Sequence, residues 1–168
     1  MISLPKAIQK QRNVLPKTGQ ITSYQAGDDG QYEAGWWRRR LNANNKTRFV
    51  AKTIAGGNVI CDYATRLMWK ASNENSTTWT LAIAAAEALV YAGFSDWKLP
   101  NVLELASILN FGAIPSVYAI FNMTEEVYWT STTLKISTTQ AFCASFLIPL
   151  VYADDKIIEF FVRVCREF

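Results

Sequence analysis

AGFSDWKLPNVLEL, residues 92–105, changes secondary structure twice in fourteen residues. Gly93 stops a helix, DWKL is apolar at alternate positions and reads as a short strand, and Pro100 ends it. Asn101 with Glu104 three residues later has the form of a capping box and starts a second helix, which is expected to run to about Asn110. Upstream, the first helix takes Thr77 or Thr78 as its cap and Trp79–Tyr91 as its body. Leu81, Ala85, Ala88 and Leu89 recur there at helical spacing, and the many alanines permit close packing on a sheet. Short β-prone runs lie on both sides of this helical middle. NVIC (58–61) and RLMWK (66–70) precede it; VYWTSTT (127–133), QAFCASFLI (140–148) and the terminal KIIEFFVRVCREF (156–168) follow. Strands at both ends with two helices between predict an α+β fold of small antiparallel sheets and long loops, the terminal strand pairing back near the first. Trp69, Trp97 and Trp129 each sit in a β-prone word with apolar neighbours and are the expected core. In the terminal strand Arg163 and Cys165 share one face and Val164 takes the other.

The 168 residues suffice for one domain with a lead-in: residues 1–20 read as an N-terminal arm, 21–57 as an irregular, turn-rich lead-in and 58–168 as the domain. Half the residues are apolar and 18% are charged, which excludes disorder over most of the length. A net charge of +3 provides no general field for nucleic acid, and no specific nucleic-acid partner is expected. With no histidine, the chain lacks the usual general base, the Ser-His and Cys-His nucleophile pairs and the commonest zinc ligand. Cys61, Cys143 and Cys165 form no CxxC motif. A Cys143–Cys165 bridge between two strand-like segments stays open, with reduced, buried thiols the favoured state. The opening MISLPKAIQKQRNV has no apolar signal-peptide core, and no run approaches the length of a membrane span.

Several words come in a fixed order: TRLMW (65–69), AGFSDWKLPNVLEL (92–105), YWTSTT (128–133) and FVRVCR (161–166), preceded by LPKTGQITSYQAGDDGQY (15–32). Together they resemble the family named after the C-terminal domain of the Legionella collagen-like adhesin. LPKTGQ, which looks like a sortase signal, then becomes the turn leading into the domain. The resemblance implies a fold similar to C-type lectins and the formylglycine-generating enzymes, with N- and C-terminal strands adjacent. It also places Arg66 where the family usually carries glycine.

Candidate contact residues are few. WWRRR puts the planes of Trp36 and Trp37 beside the cations of Arg38, Arg39 and Arg40, suited to a sugar, a phosphate or an acidic partner, or simply to a core face and a solvated edge. Thr138 and Thr139 close the loop after the YWTSTT strand. GDDG (27–30) offers the hard oxygens of Asp28 and Asp29 to calcium, but without the further carboxylates of a filled loop, so no metal and no cofactor are assigned. Asp96 is expected to bond turn amides while Trp97 and Leu99 fill the core. The function expected is a noncatalytic module for surface recognition, adhesion or particle assembly, bound to a protein or glycan ligand and displayed on an extracellular surface or a virion, with homo-oligomers open. The alternative is a phage structural protein, of tail, fibre or capsid decoration, whose arm docks on other virion subunits. An enzyme of the formylglycine-generating kind would need a reactive cysteine pair, and none can be placed among the three cysteines.

Overall fold

The computed structural model describes residues 15–33, 35 and 48–168. Its strands form two sheets. β1 (Phe49–Ile54), β2 (Gly57–Asp62), β3 (Leu67–Lys70) and β9 (Cys165–Glu167) lie in the order β1-β2-β3-β9, while β4 (Glu74–Thr77), β8 (Phe160–Val162), β5 (Val127–Thr133), β6 (Gln140–Ser145) and β7 (Leu150–Asp155) follow the order β4-β8-β5-β6-β7. Among the described residues the α-helices are short: α1 (Asp29–Tyr32), α2 (Trp79–Glu87) and α3 (Val102–Ala106). The molecule is mixed α and β, as the sequence predicts, with antiparallel pairing throughout except for a parallel contact between β5 and β8.

The terminal strand departs from expectation twice. Val162 and Cys165 belong to different sheets, so the run read as one strand is split at Arg163–Val164. β9 then pairs with β3, and the first strand holds the opposite edge of that sheet rather than lying beside the last. Facing survives the split: Val162 and Val164 enter one apolar cluster and Cys165 the other. β1 lies inside the stretch read as irregular lead-in.

These two clusters explain why β2 and β5 are apolar at consecutive positions. Val59 and Cys61 face a core with Ala82, Ala86, Trp97 and Trp129. Ile60 faces the other way, into a core with Trp69, Leu105, Phe121 and Tyr128. A strand covered on both faces needs large apolar side chains at every position rather than at alternate ones. Trp69, Trp97 and Trp129 are at most 2% exposed, as expected from their words in the sequence.

α2 buries a different face from the one that Leu81, Ala85 and Ala88 suggest, although Leu89, just beyond it, packs on the core as expected. Ala82 and Ala86 are buried, whereas Leu81 is 58% exposed. Small side chains let the helix backbone approach Trp97 and Trp129, and these rings supply the volume that leucine would otherwise fill. The helix ends at Glu87, and Gly93 serves a different purpose from a helix stop. Tyr91 and Phe94 exchange backbone hydrogen bonds of 2.9 and 3.0 Å around Ala92 (φ 55°) and Gly93 (φ 79°), a tight two-residue turn. Ala55 (φ 44°) and Gly56 (φ 79°) make the same turn between β1 and β2. The two turns abut: a β-carbon on Gly57 would lie 2.9 Å from that of Ala92, a separation that real side chains do not tolerate.

Arg66, in the turn from β2 to β3, has φ 64°. A left-handed non-glycine residue costs about 1–2 kcal/mol, partly offset by the extra entropy glycine loses on folding. Asn is favoured over Ala at the first position of the Ala55–Gly56 turn type. Arg66→Gly and Ala55→Asn are therefore each expected to stabilise by about 0.5–1 kcal/mol. The check is the urea midpoint of each variant; unchanged midpoints in both would show these turns to be unstrained.

Candidate binding surface

The motif words build scaffold first. Asp96 pairs bidentately with Arg166 at 2.6 and 2.9 Å instead of bonding turn amides. The Arg166 guanidinium, 3.9 Å from the Phe94 ring centroid, holds the Asp96 carboxyl below its ordinary pKa. The Trp97 indole donates to the Tyr91 carbonyl at 3.0 Å, and Lys98 exchanges backbone hydrogen bonds with Cys165. In place of a full DWKL strand there is this single bridge. Asn101 and Glu104 form the expected capping box, with Lys98 on Glu104 at 2.7 Å. Thr130, in YWTSTT, is buried and donates to the Phe142 carbonyl across the sheet at 2.7 Å.

None of the three thiols forms a bridge, and each is buried. Desolvation raises the pKa of all three, that of Cys143 to about 12. Cys143 and Cys165 sit in separate clusters. A thiol held protonated in an apolar core is a poor nucleophile and a poor metal ligand.

Asp28 of GDDG is engaged inside its own loop. It caps α1 through the Gln31 amide at 3.0 Å and accepts from the Tyr24 amide at 2.7 Å and the Ser23 hydroxyl at 2.9 Å, which together lower its pKa. Asp29 accepts from Thr18. Among the described residues no group of three or more carboxylates and thiols converges as metal ligands would. No helix among them is long and apolar enough to cross a membrane.

Of the candidate contact residues, Trp36, Trp37, Arg38, Arg39 and Arg40 lie outside the described residues, as do residues 1–14 of the arm. The remainder of the arm is tied to the domain, since Phe111 donates its amide to the Thr18 carbonyl at 2.8 Å and Lys17 pairs with Glu33 at 2.6 Å. Thr138 and Thr139 are exposed, and Lys156 fixes their loop by donating from its ammonium to the Thr138 carbonyl and from its amide to that of Thr139. The ammonium lies 3.8 Å from the centroid of the Trp79 ring.

A further recess, which the sequence does not announce, is lined mostly by uncharged polar residues. It encloses about 400 Å³ and is lined by Asn58, Ala71, Ser72, Asn73, Tyr91, Ile120 and Asn122. No lining residue carries a charge. Three asparagines, a serine and a tyrosine thus line it with Ala71 and Ile120; the side-chain oxygen of Asn58 accepts from Thr53 at 2.8 Å and the Asn73 amide donates to Thr124 at 3.5 Å. The Tyr91 hydroxyl accepts from the Asn58 amide at 2.7 Å and donates to the Asn58 carbonyl at 3.1 Å, so the second turn is latched to β2 at the recess edge. Behind it, Arg163 is 0% exposed and donates to the carbonyls of Lys70 at 2.6 Å, Ala71 at 3.0 Å and Phe121 at 3.5 Å. The Ala71 carbonyl belongs to a lining residue, and those of Lys70 and Phe121 belong to residues adjoining the lining segments at 71–73 and at 120 and 122. Burial lowers the guanidinium pKa to about 10, which leaves it charged at neutral pH. Five segments distant in the chain meet here, so no local spacing signals the site. Its one sequence mark is the buried arginine in FVRVCR, a cation in a core strand that must be bonded to something.

Residues 58–166, well over half of the chain, match the family model of the Lcl C-terminal domain, and no curated protein matches the sequence. The ordered words, the span of that match and the use of each word in one closed scaffold agree: the chain belongs to the Lcl C-terminal domain family.

Proposed function

We propose that this chain is a noncatalytic recognition domain, adhesin-like in role, that binds a neutral, hydroxyl-rich surface ligand of glycan type in the amide recess. The observation that carries this reading is the recess itself: an uncharged set of amides, hydroxyls and one aromatic ring held by a buried arginine that braces both walls from behind. A primary amide offers paired donors and an acceptor, which suits hydroxyls that donate and accept in turn. Walls fixed before binding reduce the ordering cost of capture. The buried, protonated thiols supply no nucleophile, which favours binding over catalysis. The particle-assembly alternative rests chiefly on the arm, residues 1–20, of which residues 1–14 lie outside the described residues.

Asn73→Ala and Ser72→Ala tested against an array of immobilised neutral oligosaccharides are the direct check. Each is expected to weaken binding about tenfold, which is on the order of 1.4 kcal/mol, with the melting temperature unchanged. Neutral glycans that fail to bind the full chain, or bind both variants as well as the parent, would remove the reading.

A further inference from the structure

A second hollow, of about 620 Å³, lies at the turn from β2 to β3, where the start of α3, the end of β9 and Leu15 and Pro16 of the arm meet that turn. It shares no residue with the amide recess. Leu103, Leu15 and Phe168, 78%, 67% and 38% exposed, give it apolar walls. Most of its polar side chains are engaged inside the fold. Thr65 donates to Asp62 at 2.8 Å, Ser107 donates to the Glu104 carbonyl at 2.7 Å, Asn101 caps α3 and Glu104 pairs with Lys98. Arg66 and Glu167 differ: both are exposed, and neither forms an ion pair or a side-chain hydrogen bond among the described residues. Their backbones adjoin, since Leu67 pairs with Glu167 and Phe168 donates its amide to the Arg66 carbonyl at 3.1 Å. One cation and one anion thus line the same hollow without pairing with each other.

Arg66 keeps its place at a cost to stability. Its φ of 64° suits glycine better, and a left-handed residue retained in spite of that points to a use for its side chain outside the fold. We propose that the hollow binds a short apolar peptide with free ends, the α-carboxylate on Arg66 and the α-ammonium on Glu167. A guanidinium receives a carboxylate in two parallel hydrogen bonds, and a carboxylate accepts from an ammonium. Leu103, Leu15 and Phe168 then cover the apolar side chains of the peptide. The volume lies in the range of small-ligand sites. Charge selects the class of ligand: a simple anion meets Glu167 and a simple cation meets Arg66, whereas a zwitterion satisfies both.

Isothermal titration of the full chain with trileucine tests the proposal, alongside its N-acetyl form, its C-terminal amide and octanoate. Free trileucine is expected to bind with a Kd on the order of 0.1 mM, and blocking either end to weaken it about tenfold. Arg66→Gly is expected to weaken the free peptide as much while raising the urea midpoint. It leaves the amide unaffected, since that form has no carboxylate to lose. Glu167→Gln is expected to weaken the free peptide likewise and to leave the N-acetyl form unaffected. Should Arg66→Gly fail to fold, Arg66→Asn, which tolerates positive φ, decides by the same criterion. A Kd for free trileucine weaker than about 1 mM overturns the proposal. So do blocked peptides bound as tightly as the free one, folded variants that bind it undiminished, or octanoate bound as tightly, which assigns the hollow to simple anions.

Discussion

Asp62→Asn is expected to destabilise the chain by about 3–5 kcal/mol, because it removes the countercharge of a buried arginine while leaving the arginine in place. Asp62 is 0% exposed and accepts from Arg48 Nε at 2.8 Å and Nη2 at 2.7 Å. The same carboxylate accepts from the Ala64 amide at 2.9 Å and the Thr65 hydroxyl at 2.8 Å, so it also shapes the turn from β2 to β3. Arg48 in turn reaches the Ser107 carbonyl at 2.7 Å and lies 4.3 Å from the Phe49 ring centroid. The pair therefore joins the start of β1, the end of β2 and the segment after α3. An amide has nearly the shape of the carboxylate, yet it turns an NH2 group toward donors and loses the charge. For a chain of this size the loss corresponds to a fall in melting temperature of roughly 10–15 °C. Replacing both partners, Arg48→Met with Asp62→Leu, is expected to recover part of it, since removing two buried charges together avoids the desolvation of one left alone, while the Ala64 amide, the Thr65 hydroxyl and the Ser107 carbonyl still lose these bonds. Urea unfolding of the two variants decides the matter. An Asn variant within about 1 kcal/mol of the parent would mean that water reaches this pair in solution.

The difference between what sequence reveals and what it conceals follows from range. The capping box at Asn101 was legible because Asn101 and Glu104 interact three residues apart, and the tryptophan core because a Trp in a β-prone word has few other places to go. Family membership was legible for a related reason, since the order of the words is itself a local record of the scaffold. The face of α2 was misread because leucine outranks alanine in hydrophobicity, whereas here shape decides: large indoles below the helix need small residues above them. The division of the terminal strand at Arg163–Val164 was hidden because both halves are equally β-prone. What separates them is the pairing partner, β5 and β4 for Val162 and its neighbours and β3 for Cys165. The amide recess lay furthest out of reach, since residues 58, 71–73, 91, 120 and 122 come together only after both sheets have formed.

The three buried tryptophans are equal in burial and unequal in bonding, and this separates their expected costs. Truncation of Trp129 or Trp69 to Ala is expected to cost about 3–5 kcal/mol, the usual range for emptying a packed aromatic site. Phe is the finer probe, because it keeps most of the ring and removes only the indole N–H and part of the volume. The Trp129 Nε1 donates to the Thr77 carbonyl at 3.0 Å, tying β5 to the end of β4, and its ring centroid lies 4.7 Å from that of Phe160. Trp69 packs edge-on to Phe121 at 6.2 Å, but its buried Nε1 has no hydrogen-bond partner among the described residues. Trp129→Phe therefore loses a hydrogen bond, whereas Trp69→Phe discards a donor that was already costing desolvation energy. The first is expected to exceed the second by about 1–2 kcal/mol in urea unfolding. Equal costs would show that the Trp69 indole is satisfied in solution, by water or by residues outside those described. A reversed order would show that the shape of the Trp69 cavity, filled between Phe121 and the α3 side of the sheet, outweighs the hydrogen bond.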